Sequence, residues 1–335
     1  MKKWILLIFI FNLFETNIQA QEIWNVKAVL PNGDLIDVKA IDAAGNKYDV
    51  KAFVESNNTQ FLDVKAIKNG NKLPVKIIKG GQTPYPVKAI DTDGTLLDIK
   101  AVSTIHVKYD IKGVEMKGNV ISIKMLHGDK TQYAVKAISP TGILHDIKGI
   151  KFSESKEEGI SNQQSYYAHV KAMPQILSIS DDPYWNLKAI AQNGKSYKVQ
   201  AIDKEGIKYP VKAFALGGDY HLLEIKAFVG KKLFAVKILE SSDKLAPVKA
   251  IAENGEILDI KAIHADGEIL DVKGIQRDGN IMHIKAIGKD ETRLGIKAIS
   301  STGNFYDVKG IIAQDKAAIY GVAYKAHIKA LPQQP

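Results

Sequence analysis

The chain has 335 residues, a formal net charge of +9 and no cysteine. This length predicts about two domains, and the 45% share of hydrophobic residues is typical of a globular protein. The absence of cysteine excludes a disulfide framework, a thiolate zinc site and a cysteine nucleophile. Only Arg277 and Arg293 are arginines. Because arginine is the side chain suited to phosphate and base-edge contacts, its scarcity argues against nucleic-acid recognition.

Residues 1–20 have the pattern of a secretory signal peptide. Two lysines precede an apolar run over residues 4–14, and a short polar stretch ends at Ala20. The run is too short for a permanent transmembrane helix, and no later segment is long enough. We therefore expect an exported protein, periplasmic or extracellular, with no transmembrane segment.

A five-residue motif recurs along the rest of the chain. Residues 25–29, 37–41 and 49–53 read Asn-Val-Lys-Ala-Val, Asp-Val-Lys-Ala-Ile and Asp-Val-Lys-Ala-Phe. The motif occurs in 24 copies, and lysine is the central residue of every copy except the one centred on Gln200. Val, Ile or Leu always precedes the centre, and Ala or Gly usually follows it. Such repetition indicates a repeat architecture.

The spacings between central positions divide the copies into two sets of twelve. Over residues 27–171 the spacings are 12, 12, 14 and 11, then six of 12, then 23; over residues 188–329 the series is the same except for a last gap of 20. This agreement indicates a tandem duplication. We predict two domains, residues 22–175 and 183–333, joined by a linker at 176–182.

Each copy predicts a β-strand followed by a turn. Residues 258–267 read Leu-Asp-Ile-Lys-Ala-Ile-His-Ala-Asp-Gly, an alternating run that a turn dipeptide closes. Because a twelve-residue period leaves no room for a parallel crossover, neighbouring strands are expected to be antiparallel. A three-residue loop would place Lys261 opposite Asp271, Asp259 opposite Lys273, and the apolar residues on one face.

Twelve short strands per half predict an all-β fold of two tandem 12-strand antiparallel domains. Local variation of the motif suggests three groups of four copies, as in a β-trefoil or a β-prism. Alternatives are a single six-bladed β-propeller or a meander barrel. The longest interruptions, residues 151–168 and 312–325, are expected to be excursions before a closing strand.

Eight central lysines are candidates for anion binding, because the residue two positions before each of them is not an aspartate and their charge is not balanced locally. They are Lys76, Lys88, Lys124, Lys136, Lys237, Lys249, Lys285 and Lys297. The competing interpretation is a solvated strand face on which lysines and aspartates form salt bridges.

Four aromatic residues around the predicted linker are candidates for stacking on sugar rings. They are Tyr166, Tyr167, Tyr184 and Trp185. Most aromatic residues three positions before a central lysine, such as Trp24, are expected in the hydrophobic core instead.

No catalytic, metal-binding or cofactor motif stands out. The eight histidines lack a His-x-x-x-His spacing, and there is no Gly-x-Ser-x-Gly, phosphate loop or dinucleotide fingerprint. His169 and His327 occupy equivalent positions in the two halves, and we expect a structural or solvent-facing role for them. Because uniform repeats leave few positions for a unique catalytic arrangement, we expect no enzymatic activity, no cofactor and no metal site.

A signal peptide followed by Val-Lys-Ala-Ile repeats resembles secreted β-repeat proteins of Gram-negative bacteria that are classed as domains of unknown function. The resemblance covers the whole chain after the signal peptide. It implies an exported all-β protein and no particular substrate.

These features favour an exported, non-enzymatic binding module for a glycan or an anionic polymer. Carbohydrate binding is suggested by analogy with lectins of trefoil and prism folds, which is a fold-level argument. The alternative is a structural or interaction protein of the bacterial cell envelope, whose regular surface is itself the functional part.

Overall fold

The structure is a computed structural model that describes residues 22–128, 131–176, 183–313 and 317–333. The predicted signal peptide lies outside the described residues, as does all of the predicted linker except residue 176. Within them all regular structure is β-strand, apart from one 3-10 turn at Leu216–Gly218. No helix there is long and apolar enough to cross a membrane.

The first half contains β1 (Ile23–Val29), β2 (Leu35–Ile41), β3 (Lys47–Phe53), β4 (Leu62–Lys68), β5 (Asn71–Ile77), β6 (Tyr85–Ile90), β7 (Leu96–Val102), β8 (Lys108–Lys117), β9 (Val120–Leu126), β10 (Gln132–Ile138), β11 (Leu144–Ile150), β12 (Gly159–Ser161), β13 (Gln164–Tyr166) and β14 (Ala168–Pro174). The second half contains β15 (Trp185–Ile190), β16 (Ser196–Ile202), β17 (Lys208–Phe214), β18 (Leu223–Val229), β19 (Lys232–Leu239), β20 (Ala246–Ile251), β21 (Ile257–Ile263), β22 (Ile269–Asp278), β23 (Ile281–Ile287), β24 (Arg293–Ile299), β25 (Phe305–Ile312), β26 (Ala318–Ile319) and β27 (Val322–Pro332).

The two halves form separate antiparallel sheets. Twelve strands of the first half make one sheet, and the twelve equivalent strands of the second half, extended by the short β26, make the other. No strand pairing joins the halves in the described ranges. The prediction of an all-β chain with two tandem 12-strand antiparallel units is confirmed, and the single six-bladed propeller is not formed.

Within each sheet the strands meet in closed triples. In junction 1, the strands β1, β2 and β3 each pair with the other two over about half their length. Junction 2 joins β6, β7 and β8, and junction 3 joins β9, β10 and β11. Junction 4 joins β4, β5 and β14, which are distant in sequence. The expected grouping of copies by four is therefore wrong, because the closed sets contain three strands.

Six two-stranded ribbons connect the four junctions, one for each pair of junctions. They pair β1 with β10, β2 with β7, β3 with β4, β5 with β6, β8 with β9 and β11 with β14. Four junctions joined pairwise have the connectivity of a tetrahedron, so the sheet closes without the three-fold plan of a trefoil. Every repeat strand is paired on both edges, which removes the open edges that promote aggregation.

The second half repeats this plan strand for strand. Its ribbons pair β15 with β24, β16 with β21, β17 with β18, β19 with β20, β22 with β23 and β25 with β27. The predicted register of Lys261 opposite Asp271 is confirmed. Asp259, however, faces Lys249 rather than Lys273, because consecutive strands pair along only half of their length.

The residues on either side of each central lysine face the inside of the closed sheet. Val26 is 4% exposed and Ala28 is fully buried, and the same pattern recurs in the other copies. Trp24 and Trp185 also lie in the core. The inner position after the lysine is usually Ala or Gly because space is short there: a Cβ added to Gly149 would already press against Ile77, one of the few larger residues at that position.

The two halves pack against each other through a small apolar cluster of their own. It consists of Phe61, Val120, Ile150, Met173, Leu222, Ile281, Ile311 and Leu331. The first three of these residues correspond to Leu222, Ile281 and Ile311 by a constant offset of 161 residues. The contact therefore uses equivalent surfaces of the two halves, as in a two-fold symmetric dimer.

Polar contacts between the halves are related by the same offset of 161 residues. Asn119 donates to Glu224 at 3.0 Å, and its equivalent Asn280 hydrogen bonds to Asp63. The glycines at this contact differ in how close they come: a Cβ at Gly118 would overlap the carbonyl of Leu216, whereas a Cβ at the equivalent Gly279 would lie 3.3 Å from the Ser56 side chain. The tandem duplication thus folds as two copies of one unit in pseudo-two-fold contact.

Candidate functional site

The outer face of each sheet carries the central lysines, and most of them lie beside an aspartate. At a junction, each lysine faces the residue two positions before the next lysine, so Lys27 pairs with Asp37 and Lys39 with Asp49. The closer aspartate therefore comes from the neighbouring copy, and the aspartate of the lysine's own strand lies farther away, as Asp37 does at 3.4 Å from Lys39.

Four of the eight candidate lysines belong to this paired network. The pairs are Lys88–Asp98, Lys136–Asp146, Lys249–Asp259 and Lys297–Asp307. The expectation that their charge is locally unbalanced is wrong, because the following copy supplies the acid. Anion binding by these lysines stays a prediction, on weaker grounds.

The other four candidates do not face an acid across the junction. Lys124 lies opposite Ala134 and Lys285 opposite Gly295. Neither makes an ion pair with an acidic residue of the described chain. Burial, followed by the charge of Lys148, lowers the pKa of Lys124.

Lys76 and Lys237 occupy equivalent places in the two halves, and each faces an imidazole. The Nζ atom of Lys76 lies 3.0 Å from Nδ1 of His169, and Nζ of Lys237 lies 2.7 Å from Nδ1 of His327. Burial lowers the pKa of each lysine to about 7. It also holds the pKa of both imidazoles well below the ordinary histidine value. Each pair therefore consists of a buried lysine and a buried histidine, and burial disfavours the charged form of both side chains.

The structure places the four aromatic candidates in different environments. Tyr166 and Trp185 are buried in the core at 0% and 1% exposure, so the prediction that they stack on sugar rings is wrong. Tyr184 is exposed and its ring meets the edges of Phe214 and Phe228. Tyr167 lines a cleft.

That cleft has a volume of about 680 Å³ and lies between the loop after β5 and the 151–168 excursion. Its lining consists of Ile78, Lys79, Gly80, Gly81, Lys151, Glu154, Ser155, Lys156, Glu157, Gln164, Ser165 and Tyr167. We call it the first-half cleft. Three lysines and two glutamates surround one aromatic ring in it.

Tyr167 and Lys151 form the fixed wall of the first-half cleft. The Tyr167 ring stacks on Tyr85 with centroids 5.8 Å apart, and its hydroxyl donates to the Met116 sulfur at 3.3 Å. Lys151 Nζ lies 4.0 Å from the Tyr167 ring centroid and donates to the Ser155 carbonyl at 2.5 Å. Burial lowers the pKa of Lys151 and raises that of Tyr167.

The first-half cleft has no chemical counterpart in the second half. The residue equivalent to Lys79 is Glu240, and the residue equivalent to Lys151 is Ile312. The second excursion is three residues shorter, so the residue equivalent to Tyr167 is Lys325. The repeat therefore does not dictate this chemistry. Sequence reasoning missed Lys79, Lys151 and Lys156, although a residue-by-residue comparison of the halves would have exposed them.

No group of three His, Asp or Glu side chains in the described ranges is placed to hold a metal ion. No curated protein and no solved structure matches the chain. A family of unknown function, DUF7486, matches residues 20–173 and again residues 181–331. The two matches cover most of the sequence and follow its duplication. The chain therefore belongs to the DUF7486 family of unknown function and carries two tandem copies of its domain.

Proposed function

We propose that the protein is an exported, non-enzymatic binding module that holds an acidic glycan, or a segment of an anionic polymer, in the first-half cleft. The observation that carries this proposal is the divergence of Lys79, Lys151 and Tyr167 from their equivalents in the second half. Export rests on the signal-peptide pattern of residues 1–20.

The chemistry of the first-half cleft suits a hydroxyl-rich acid. Lys79 and Lys156 are exposed at its rim, and each ammonium offers three hydrogen-bond donors. Gln164 and the nearby serines add neutral donors and acceptors, which orient a ligand rather than only attract it. A volume of about 680 Å³ falls inside the range of about 300–1,000 Å³ found for ligand pockets.

Two features support binding rather than catalysis. The Lys151 amine is engaged by the Ser155 carbonyl and the Tyr167 ring. The Tyr167 hydroxyl donates to a sulfur atom and not to a base that could activate it.

The test is a glycan array followed by calorimetry with the acidic oligosaccharides that bind. The double variant Lys79→Gln/Lys156→Gln is expected to lose about tenfold in affinity or more. The matched control Lys88→Gln/Lys249→Gln removes the same charge from ion-paired positions, and its affinity should stay within about twofold of wild type.

Equal losses in both double variants would mean that net charge alone attracts the ligand, and the cleft would be abandoned as its site. Absence of any glycan binding would favour the alternative, a structural or interaction protein of the cell envelope. The charge-paired lysine and aspartate face supports that second candidate, because it presents a regular and neutralised surface.

A further inference from the structure

A second cavity lies at the contact between the two halves. Its volume is about 250 Å³, which is room for about eight water molecules at about 30 Å³ each. The first half contributes Phe152, Ser153, Glu158 and His169, and the second half contributes Ile312, Ala313, Ala317, Ala318, Tyr324 and His327. The 151–158 loop separates it from the first-half cleft.

The two histidines line this cavity from opposite halves, and the Phe152 ring contacts both of them. The Phe152 ring centroid lies 5.4 Å from that of His169 and 5.0 Å from that of His327. The cavity therefore lies near the pseudo-two-fold axis, and each half supplies an equivalent imidazole to it.

The lysines fix which imidazole nitrogen carries the hydrogen. As ammonium groups, Lys76 and Lys237 can only donate to Nδ1 of His169 and His327, so each neutral ring then carries its hydrogen on Nε2. The distances from these N–H groups to their nearest acceptors are long. Nε2 of His169 lies 3.5 Å from the Tyr166 hydroxyl and 3.8 Å from Glu158, and Nε2 of His327 lies 3.4 Å from the equivalent Tyr324 hydroxyl. Good N–H···O bonds are about 2.7–3.2 Å long.

Within the described residues, positive groups outnumber acids around the cavity. Lys171 pairs with Asp63 and Lys329 with Glu224, which leaves Lys76 and Lys237 with Glu158 as the remaining acid. The Glu158 carboxylate already accepts bonds from the Phe152 and Ser153 amides and the Ser153 hydroxyl, at 2.7–2.9 Å. Among the described residues, one carboxylate that is already hydrogen bonded is therefore left beside the two lysines Lys76 and Lys237.

We propose that the cavity between the halves binds one small oxyanion, which accepts hydrogen bonds from Nε2 of His169 and Nε2 of His327. The anion would complete the two long donor contacts and balance Lys76 and Lys237. This site is distinct from the first-half cleft and takes a different ligand, an ion in place of a glycan.

Binding should be coupled to protonation of the two lysines, because an anion favours their charged form. The charged and titratable groups that face Lys76 are Lys65, Asp63, Lys171, Glu158, His169, Tyr166 and Lys88. Those that face Lys237 are Lys226, Glu224, Lys329, Glu158, His327, Tyr324 and Lys249. Both lysines have a pKa of about 7 in the free protein. Affinity for an oxyanion should therefore fall as the pH rises through that value.

The probe is sodium sulfate, whose charge is constant over this range, with chloride keeping the ionic strength fixed. Calorimetry on the full mature chain should show one site per chain and an affinity about tenfold weaker at pH 8.5 than at pH 6.5. His169→Phe and His327→Phe should each weaken sulfate binding about tenfold or more. The cleft variant Lys79→Gln/Lys156→Gln should bind sulfate as wild type does, which separates this site from the proposed glycan site.

Nitrogen NMR of the imidazoles in the wild-type protein gives a readout that needs no variant to fold. Sulfate should shift the Nε2 resonances of His169 and His327 and leave that of the core residue His145 unchanged. If sulfate shifts neither resonance, or binds both histidine variants as tightly as wild type, the site is overturned.

Discussion

The Nε2 atom of His221 in the second half lies 2.8 Å from a carboxylate oxygen of Asp146 in the first half. Its Nδ1 atom lies 2.7 Å from Asp219. The equivalent place in the first half holds Gln60, which donates to Asp307 at 3.3 Å and to the Pro332 carbonyl at 2.6 Å. One of the two equivalent contacts between the halves therefore depends on a proton, and the other does not.

His221→Gln is expected to flatten the pH dependence of stability. Although burial opposes it, hydrogen bonds to Asp146 and Asp219 raise the pKa of His221. Its contribution is therefore complete below the unfolded-state value of about 6.5 and is lost as the pH rises through the higher folded-state value. The variant should lose about 1.5–3 kcal/mol of unfolding free energy near pH 5.5, and less near pH 9.

Urea unfolding of wild type and His221→Gln at the two pH values measures this effect. Gln60→His is the reciprocal variant and should introduce a pH dependence of the same sign. An unchanged pH dependence in His221→Gln would show that His221 is neutral in the contact.

Lys76→Met/His169→Phe should reduce the rise of stability with pH in the alkaline range. Burial lowers the pKa of Lys76 to about 7, so between that value and the unfolded value of about 10.4 the unfolded chain binds more protons and stability increases with pH. The double variant removes that contribution and leaves no unpaired imidazole. Lys88→Met is the control, because Lys88 faces Lys76 across the ribbon but pairs with Asp98.

The test is to measure the unfolding free energy between about pH 7 and about pH 10. Each such lysine should make it rise with pH by up to about 1.4 kcal/mol per pH unit. The slope should fall in the double variant and persist in Lys88→Met. Equal slopes in all three proteins would place the Lys76 amine in water.

The motif alone predicts the local register but not the closure of the sheet. The alternation around Lys261 identifies the inner face, and the turn dipeptide sets Asp271 opposite it. The pairing of Lys27 with Lys136 cannot be read in the same way, because every copy presents the same residues to every other copy. In a chain of uniform repeats, the turns and excursions decide which distant strands pair. Their sequences show little pattern from which that pairing could be predicted.

The candidate site shows the same limit. Lys76 lacks an aspartate two positions earlier, which marks it as unusual. Its partner His169 comes from the last copy, which junction 4 brings to it from 93 residues away. A pattern counted within one copy cannot contain that neighbour, and the duplicated His327 offers no further clue.

Gly118→Ala should weaken the contact between the halves more than its backbone conformation explains. Gly118 has a φ of +56° and its Cβ would overlap the Leu216 carbonyl, whereas Gly142 has a φ of +88° and open space around it. Both alanine variants carry a left-handed penalty of about 1–2 kcal/mol. The further loss in Gly118→Ala, measured by urea unfolding, belongs to the contact with Leu216. Equal losses would mean that the halves separate without affecting stability.

The last prediction separates the charged face from the core as the source of stability. Lys261 pairs with Asp271, but about a quarter of its side chain and half of the aspartate side chain are exposed. Lys261→Gln should therefore change the unfolding free energy by no more than about 1 kcal/mol. Ala262 is fully buried on the inner face, and Ala262→Leu should cost about 1–3 kcal/mol or more through overpacking. If urea unfolding showed the larger loss for Lys261→Gln, the ion pairs and not the narrow interior would hold the closed sheet together.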